Sequence, residues 1–160
     1  MVEQEDLDNL KEKYKEIQQK HNLPSFHDMN KEFSIEKLAE IKSDFLIREI
    51  RRFISDWMLG YLRLIESLIN PVNVPLFVFS VINTLKQEDK NRLTEIYKKL
   101  SKRQVELIEL DLNFSEEKEA EFVNQTYHIW SEVKKDIGHI MLTVKKNWDI
   151  KTDKTNAPYF

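Results

Sequence analysis

Glycine is almost missing from this chain: in 160 residues it occurs twice, at Gly60 and Gly138, each inside a stretch of helical apolar spacing. Proline occurs four times. Because these two residues are the strongest interruptions of helices, their scarcity favours long uninterrupted ones. It also removes whole classes of chemistry. The phosphate-cradling loop, the dinucleotide fingerprint and the nucleophile elbow each need clustered glycines, where backbone approaches phosphate or makes a strained turn. The absence of cysteine likewise removes disulfide scaffolds, thiolate zinc sites, iron–sulfur clusters and cysteine nucleophiles.

The remaining composition is that of a soluble cytoplasmic globular protein, with 25 basic against 28 acidic residues, 41% hydrophobic and 33% charged. The acidic, polar opening over residues 1–9 lacks the basic start and apolar centre of a secretory signal. The most apolar stretch, residues 72–85, carries Asn73, Pro75, Ser80, Asn83 and Thr84. It is also shorter than the roughly 20 residues that cross a membrane.

Periodicity then places the elements. Leu7, Leu10, Tyr14 and Ile17 line one face of a helix over about residues 5–20, ended by Leu23-Pro24. Ser25 with Asp28 caps a short turn or helix. Ser34 reads as the N-cap of a long helix over about residues 35–69, with Glu36 in its first turn and Phe33 stapled onto Leu38. Its apolar arc is wide enough for two neighbours, and Gly60 within it suits either a close backbone approach or a tolerated weak point. Pro75 starts a short buried helix near residues 75–85, with a strand over 76–82 as the competing reading. Glu88-Asp89 open a helix over about residues 88–111, and Ser115 one over about 115–149 whose apolar face includes Phe122, Trp130, Ile137 and Val144. The sequence thus predicts an all-α fold, an antiparallel helical bundle of three long helices with an N-terminal helix and a short buried one. One domain spans residues 1–150, and residues 151–160 form a flexible tail. The likeness of residues 33–40 to 114–121 reflects two helix starts, where Ser and acids belong physically, more than a repeat.

Candidate chemistry is sparse. His128, Glu132, Asp136 and His139 have a metal-like spacing, but the two His and Glu132 fall opposite Trp130, Ile137 and Val144, which makes them a solvated face and predicts no metal. His21 and His27 flank a loop, and no Ser–His–acid arrangement is indicated. Among the acids only Glu40 sits near an inward helical position. The basic residues Arg48, Arg51, Arg52, Lys98, Lys99, Lys102 and Arg103 are interleaved with acids. The expected pairs are Glu95 with Lys98 and Lys99, Lys102 with Glu106, and Arg52 with Asp56, so they read as ion-paired surface rather than a nucleic-acid track.

Two features suit partner binding. One is the terminal Pro158-Tyr159-Phe160, in a polar tail able to dock as a short linear peptide or to fold back on the bundle. The other is the set Ile41, Phe45 and Leu59, off the main apolar stripe, which meets either the N-terminal helix or another copy of the chain.

Leu46-Ile47-Arg48-Glu49-Ile50-Arg51-Arg52, the stretch from Leu68 to Phe77 with Asn70-Pro71 and Val74-Pro75, and Glu117-Lys118-Glu119-Ala120-Glu121-Phe122 resemble a set of small all-helical archaeal proteins. The resemblance covers most of the chain. It implies an all-helical fold and an intracellular archaeal origin, and supplies no catalytic residue, cofactor or partner. The function favoured by these residues is a non-enzymatic protein-interaction or scaffold role, with no cofactor and with a protein or a second copy as partner. A helix-bundle metal or small-molecule enzyme and a nucleic-acid-associated protein are the alternatives.

Overall fold

The computed structural model describes residues 2–154, with side chains through Trp148. Six α-helices and one 3-10 helix follow in order: α1 (Gln4–His21), α2 (Phe26–Phe33), the 3-10 helix (Ile35–Glu40), α3 (Leu46–Ile69), α4 (Leu76–Thr84), α5 (Gln87–Leu112) and α6 (Glu116–Lys154). The all-α reading and the three long helices hold. The helix ends follow from identifiable caps. Asn22 closes α1 in the left-handed region at φ 52°, returning its N–H to the Gln18 carbonyl. Ser25 opens α2 by accepting from the Asp28 N–H at 3.1 Å. Asp89 reaches back to the Lys86 N–H at 3.0 Å at the start of α5, and Ser115 accepts from the Lys118 N–H at 3.4 Å at the start of α6.

The predicted 35–69 helix is shorter than its periodicity implied. Ser34 does not cap it: at φ 56° Ser34 is left-handed and closes α2, its N–H bonded to the Asn30 carbonyl. The Asn30 side chain takes over the capping, accepting from the Glu36 N–H at 2.9 Å and donating to the Glu36 carboxylate at 3.0 Å. Residues 35–40 then wind as 3-10 helix, whose threefold repeat buries Ile35 and Leu38 together. Lys42-Ser43-Asp44 interrupts the helix before α3 begins, because Ser and Asp compete for backbone hydrogen bonds. Phe33 meets Trp57 edge-on at 5.3 Å and Tyr127 at 6.5 Å.

The short helix expected near residues 75–85 is present as α4, with Pro75 as its N-cap, but it is buried on one side only. Val78, Val81 and Leu85 face inward at spacings of three and four, while Leu76, Phe77 and Phe79 are exposed. Helix α6 continues through Lys154, so residues 151–154 extend the helix instead of starting a tail. Pro158, Tyr159 and Phe160 lie outside the described residues. A Cβ built on Gly60 or Gly138 would meet nothing within 4 Å, so neither glycine serves a close approach.

Contacts gather in two compact units, residues up to 58 with 103–128, and residues 59–102 with those from 129 onward. In the first, Tyr14, Met29, Phe33, Ile35, Ile50 and Ile54 are almost fully buried, joined by Leu107, Leu110 and Phe122. Tyr14 donates its hydroxyl to the Pro24 carbonyl at 2.6 Å, and burial first, then Tyr127 and Asp28, pushes its phenol well above the ordinary range. Within this unit Phe45 meets Phe114 and Arg51 meets Glu119, so α3 and α6 run in the same direction there. Helix α5 returns antiparallel through the short 113–115 link. In the second unit Ile65, Leu93, Ile96, Leu100, Val133 and Ile140 are buried, and Tyr61 lies 4.9 Å from Trp130. No helix among the described residues is long and apolar enough to cross a membrane.

Candidate functional site

The most polar part of either interior is in the first unit, where Arg51 on α3 is clamped by two acids. Arg51 sits one turn from Ile47 and Ile54 and next to Ile50, so the apolar stripe that buries α3 carries the guanidinium inward with it. Its Nε donates to Glu119 Oε2 at 2.6 Å and its Nη2 to Glu119 Oε1 at 3.2 Å and Asp111 Oδ1 at 2.8 Å. The Arg51 and Glu119 side chains are 3% and 0% exposed, Asp111 58%. Burial works against the charged guanidinium, but the hydrogen bonds it donates to Glu119 and then to Asp111 outweigh it and hold the Arg51 pKa above its usual value. Both Glu119 oxygens are taken by the fork. The group ties α3, α5 and α6 in one register, and its charge is spent inside the protein.

The sequence reading placed Arg51 on a solvated basic face and Glu40 near an inward position but at a helix end where its carboxylate reaches water. Glu40 is exposed, as that helix end implies, but Arg51 is not on the surface: Arg51, Arg103 and Glu119 are buried. Arg103 donates to Gln125 at 2.8 Å and Glu106 at 2.7 Å, and lies 5.7 Å from the Phe122 ring. Glu106 therefore answers Arg103 rather than Lys102. Lys98 pairs with Glu95 at 2.8 Å as its spacing suggested, whereas Lys99 reaches Glu132 on α6 at 3.3 Å instead of Glu95. Arg52 goes to Glu49 at 3.6 Å instead of Asp56. Such surface pairs contribute little to stability individually.

His128, Glu132 and His139 are exposed and Asp136 is half-buried, and no group of three or more potential ligands is brought together among the described residues. His21 is drawn into a structural contact. Its Nε2 lies 2.9 Å from Glu116, which also accepts from Lys20 at 3.1 Å, while Asn124 donates to the His21 carbonyl at 3.2 Å. The His21 bond, followed by that of Lys20, holds the Glu116 carboxyl below the usual glutamate range. A carboxyl lowered by folding stabilises the fold above its unfolded pKa, and that contribution disappears as pH falls through the lowered value. Carbon-detected titration is expected to place the Glu116 midpoint below the glutamate range, rising toward it in His21→Ala; a midpoint already within that range would contradict this bonding.

A cleft of about 530 Å³ between α1 and α2 is lined by Leu7, Lys11, Tyr14, Phe26, His27 and Glu36. Three of its polar groups are engaged in the fold: Tyr14 with Pro24, Glu36 with Asn30, and the Lys11 ammonium over the Phe26 ring at 5.8 Å. A second, of about 340 Å³, takes in Leu10, Lys13, Ile41, Asp44 and Leu46, so Ile41 edges a cleft against α1. Phe45 turns to Phe114, over which the Arg48 guanidinium also lies at 5.3 Å.

What the sequence reading passed over is the outer face of α5. Val105, Ile108 and Leu112 are 63%, 62% and 75% exposed, on the side away from Leu100, Leu107 and Leu110. Helical projection of 105, 108 and 112 places them within about 60° of one another, and that was the available signal. In the second unit Val72, Leu76 and Phe77 are also exposed, with Phe77 against Trp148 at 6.1 Å. The chain matches no family model, no curated protein and no solved structure with which it was compared.

Proposed function

We propose that this chain is a non-enzymatic helical interaction or scaffold protein of the cytoplasm, working through apolar side chains that its own cores leave uncovered. The observation that carries this reading is the Val105, Ile108 and Leu112 stripe on α5. Isolated exposed apolar residues need no explanation, but three large ones at helical spacing on one face form a contiguous patch of the kind that partners cover. The groups that would suit catalysis support the same reading, because Arg51, Glu119, Tyr14 and His21 are each committed to structural hydrogen bonds. The bidentate Arg51–Glu119 clamp serves the role a scaffold needs, holding the helices that present the stripe in fixed register.

The reading is tested with Ile108→Glu, which sets a charge in the middle of the stripe without touching either core. Sedimentation of the purified chain and co-purification from its native host are compared with the wild type. The wild type is expected to associate, with itself or another macromolecule, and the variant to lose that association with unchanged helical circular dichroism. Equal association by the two proteins, or none by the wild type, would refute it.

A further inference from the structure

We infer that the occupant of the α5 face is a second copy of this chain, paired through an antiparallel α5–α5 seam. This rests on the interaction reading above and names its partner. Four residues along the continuous helix, Ser101, Val105, Ile108 and Leu112, follow each other at intervals of four, three and four, the alternation of core positions in a two-helix seam. Ser101 is half-buried and turns its hydroxyl to the Lys98 carbonyl at 3.2 Å, which leaves a small, locally satisfied side chain at the first position. An antiparallel two-fold sets Val105 against the partner subunit's Ile108 and Ser101 against the partner subunit's Leu112. The smallest residue of the seam thus faces the most exposed large one, as interdigitated packing requires.

Charge selects the direction. Lys102 and Glu109 are both exposed and occupy the same flank of the seam, one residue after Ser101 and Ile108 respectively. In an antiparallel pair each flank meets its own copy. Lys102 then faces the partner subunit's Glu109, and Glu109 faces the partner subunit's Lys102, giving two symmetric ion pairs. A parallel pair would bring Glu109 to the opposite flank, where Gln104 offers no charge and Asp111 is already held by Arg51. It would also stack Ser101 on its own copy. Because the two-fold is isologous, association closes at the dimer.

The test is sedimentation of the full chain across a concentration series, with Lys102→Glu, Glu109→Lys and the double exchange alongside. All substituted positions are exposed, and circular dichroism verifies that each variant is folded. The wild type is expected to dimerise, each single exchange to weaken the dimer about tenfold by replacing two attractions with two repulsions, and the double exchange to restore it. A wild type monomeric throughout the series, single exchanges without effect, or a double exchange no better than the singles would each overturn the inference. A monomeric wild type that still captures a different protein, in a manner lost with Ile108→Glu, refutes self-pairing while the interaction reading survives; loss of both refutes both.

Discussion

Glu119→Ala is expected to lower the unfolding free energy by about 3–5 kcal/mol, because it strands a buried guanidinium. Arg51 cannot discharge by losing its proton. With its side chain 3% exposed it would keep a single carboxylate contact, the 2.8 Å bond to the exposed Asp111. Against the 5–15 kcal/mol typical of a domain, a loss of that size consumes a large part of the total. The conservative Glu119→Gln retains an acceptor for one N–H and should cost less. Replacing both partners, Arg51→Met with Glu119→Leu, removes the stranded charge and should recover most of the loss, since two apolar groups of similar volume escape the desolvation cost of the ion pair. Urea unfolding of the four proteins measures all of this. A Glu119→Ala loss below about 1 kcal/mol is the size of a surface pair and would contradict the buried geometry.

Phe33→Ala is expected to cost about 3–5 kcal/mol, the range for emptying a buried aromatic site. The alternative role for Phe33, a staple across a helix start, predicts a loss nearer that of a capping interaction, about 1 kcal/mol. The two magnitudes separate the roles. Phe33 is 1% exposed and edges both Trp57 and Tyr127, so its removal opens a void against two rings from different helices. Phe33→Leu keeps most of the volume and should fall well short of the alanine loss. Near-UV circular dichroism gives an independent readout, because the packing of Trp57 changes even where the fold survives. A loss of only about 1 kcal/mol with an unchanged near-UV signal would return Phe33 to the staple role.

The helical class was legible because the physical signal was global: few breakers, and apolar spacing near 3.6 over most of the chain. Pro75 and Ser25 were legible as local chemistry, each having one natural place at a helix start. Ser34 was not, because the same residue type that caps a helix also tolerates the left-handed turn that ends one, and only Asn30 reaching forward to Glu36 decides between them. Glu119 escaped because projecting a helix uses polarity as a stand-in for exposure, a proxy that fails when an acid is buried with its counterion. That counterion lies 68 residues away in sequence. The α5 stripe was hidden in plain counting: Leu107 and Leu110 face a core while Val105, Ile108 and Leu112 do not, and only the angular position of each separates them.

The first compact unit is assembled from residues up to 58 and from 103–128, so it is not contiguous in the chain. During synthesis Arg51 emerges 68 residues before Glu119, a delay of roughly 3–14 s at about 5–20 residues per second. Throughout that interval the guanidinium remains hydrated, and the apolar face of the first half of α3 lacks the helix that will cover it. The opening turns of α6 therefore complete the unit, and a chain cut anywhere ahead of residue 119 releases an α3 whose charge has no buried partner.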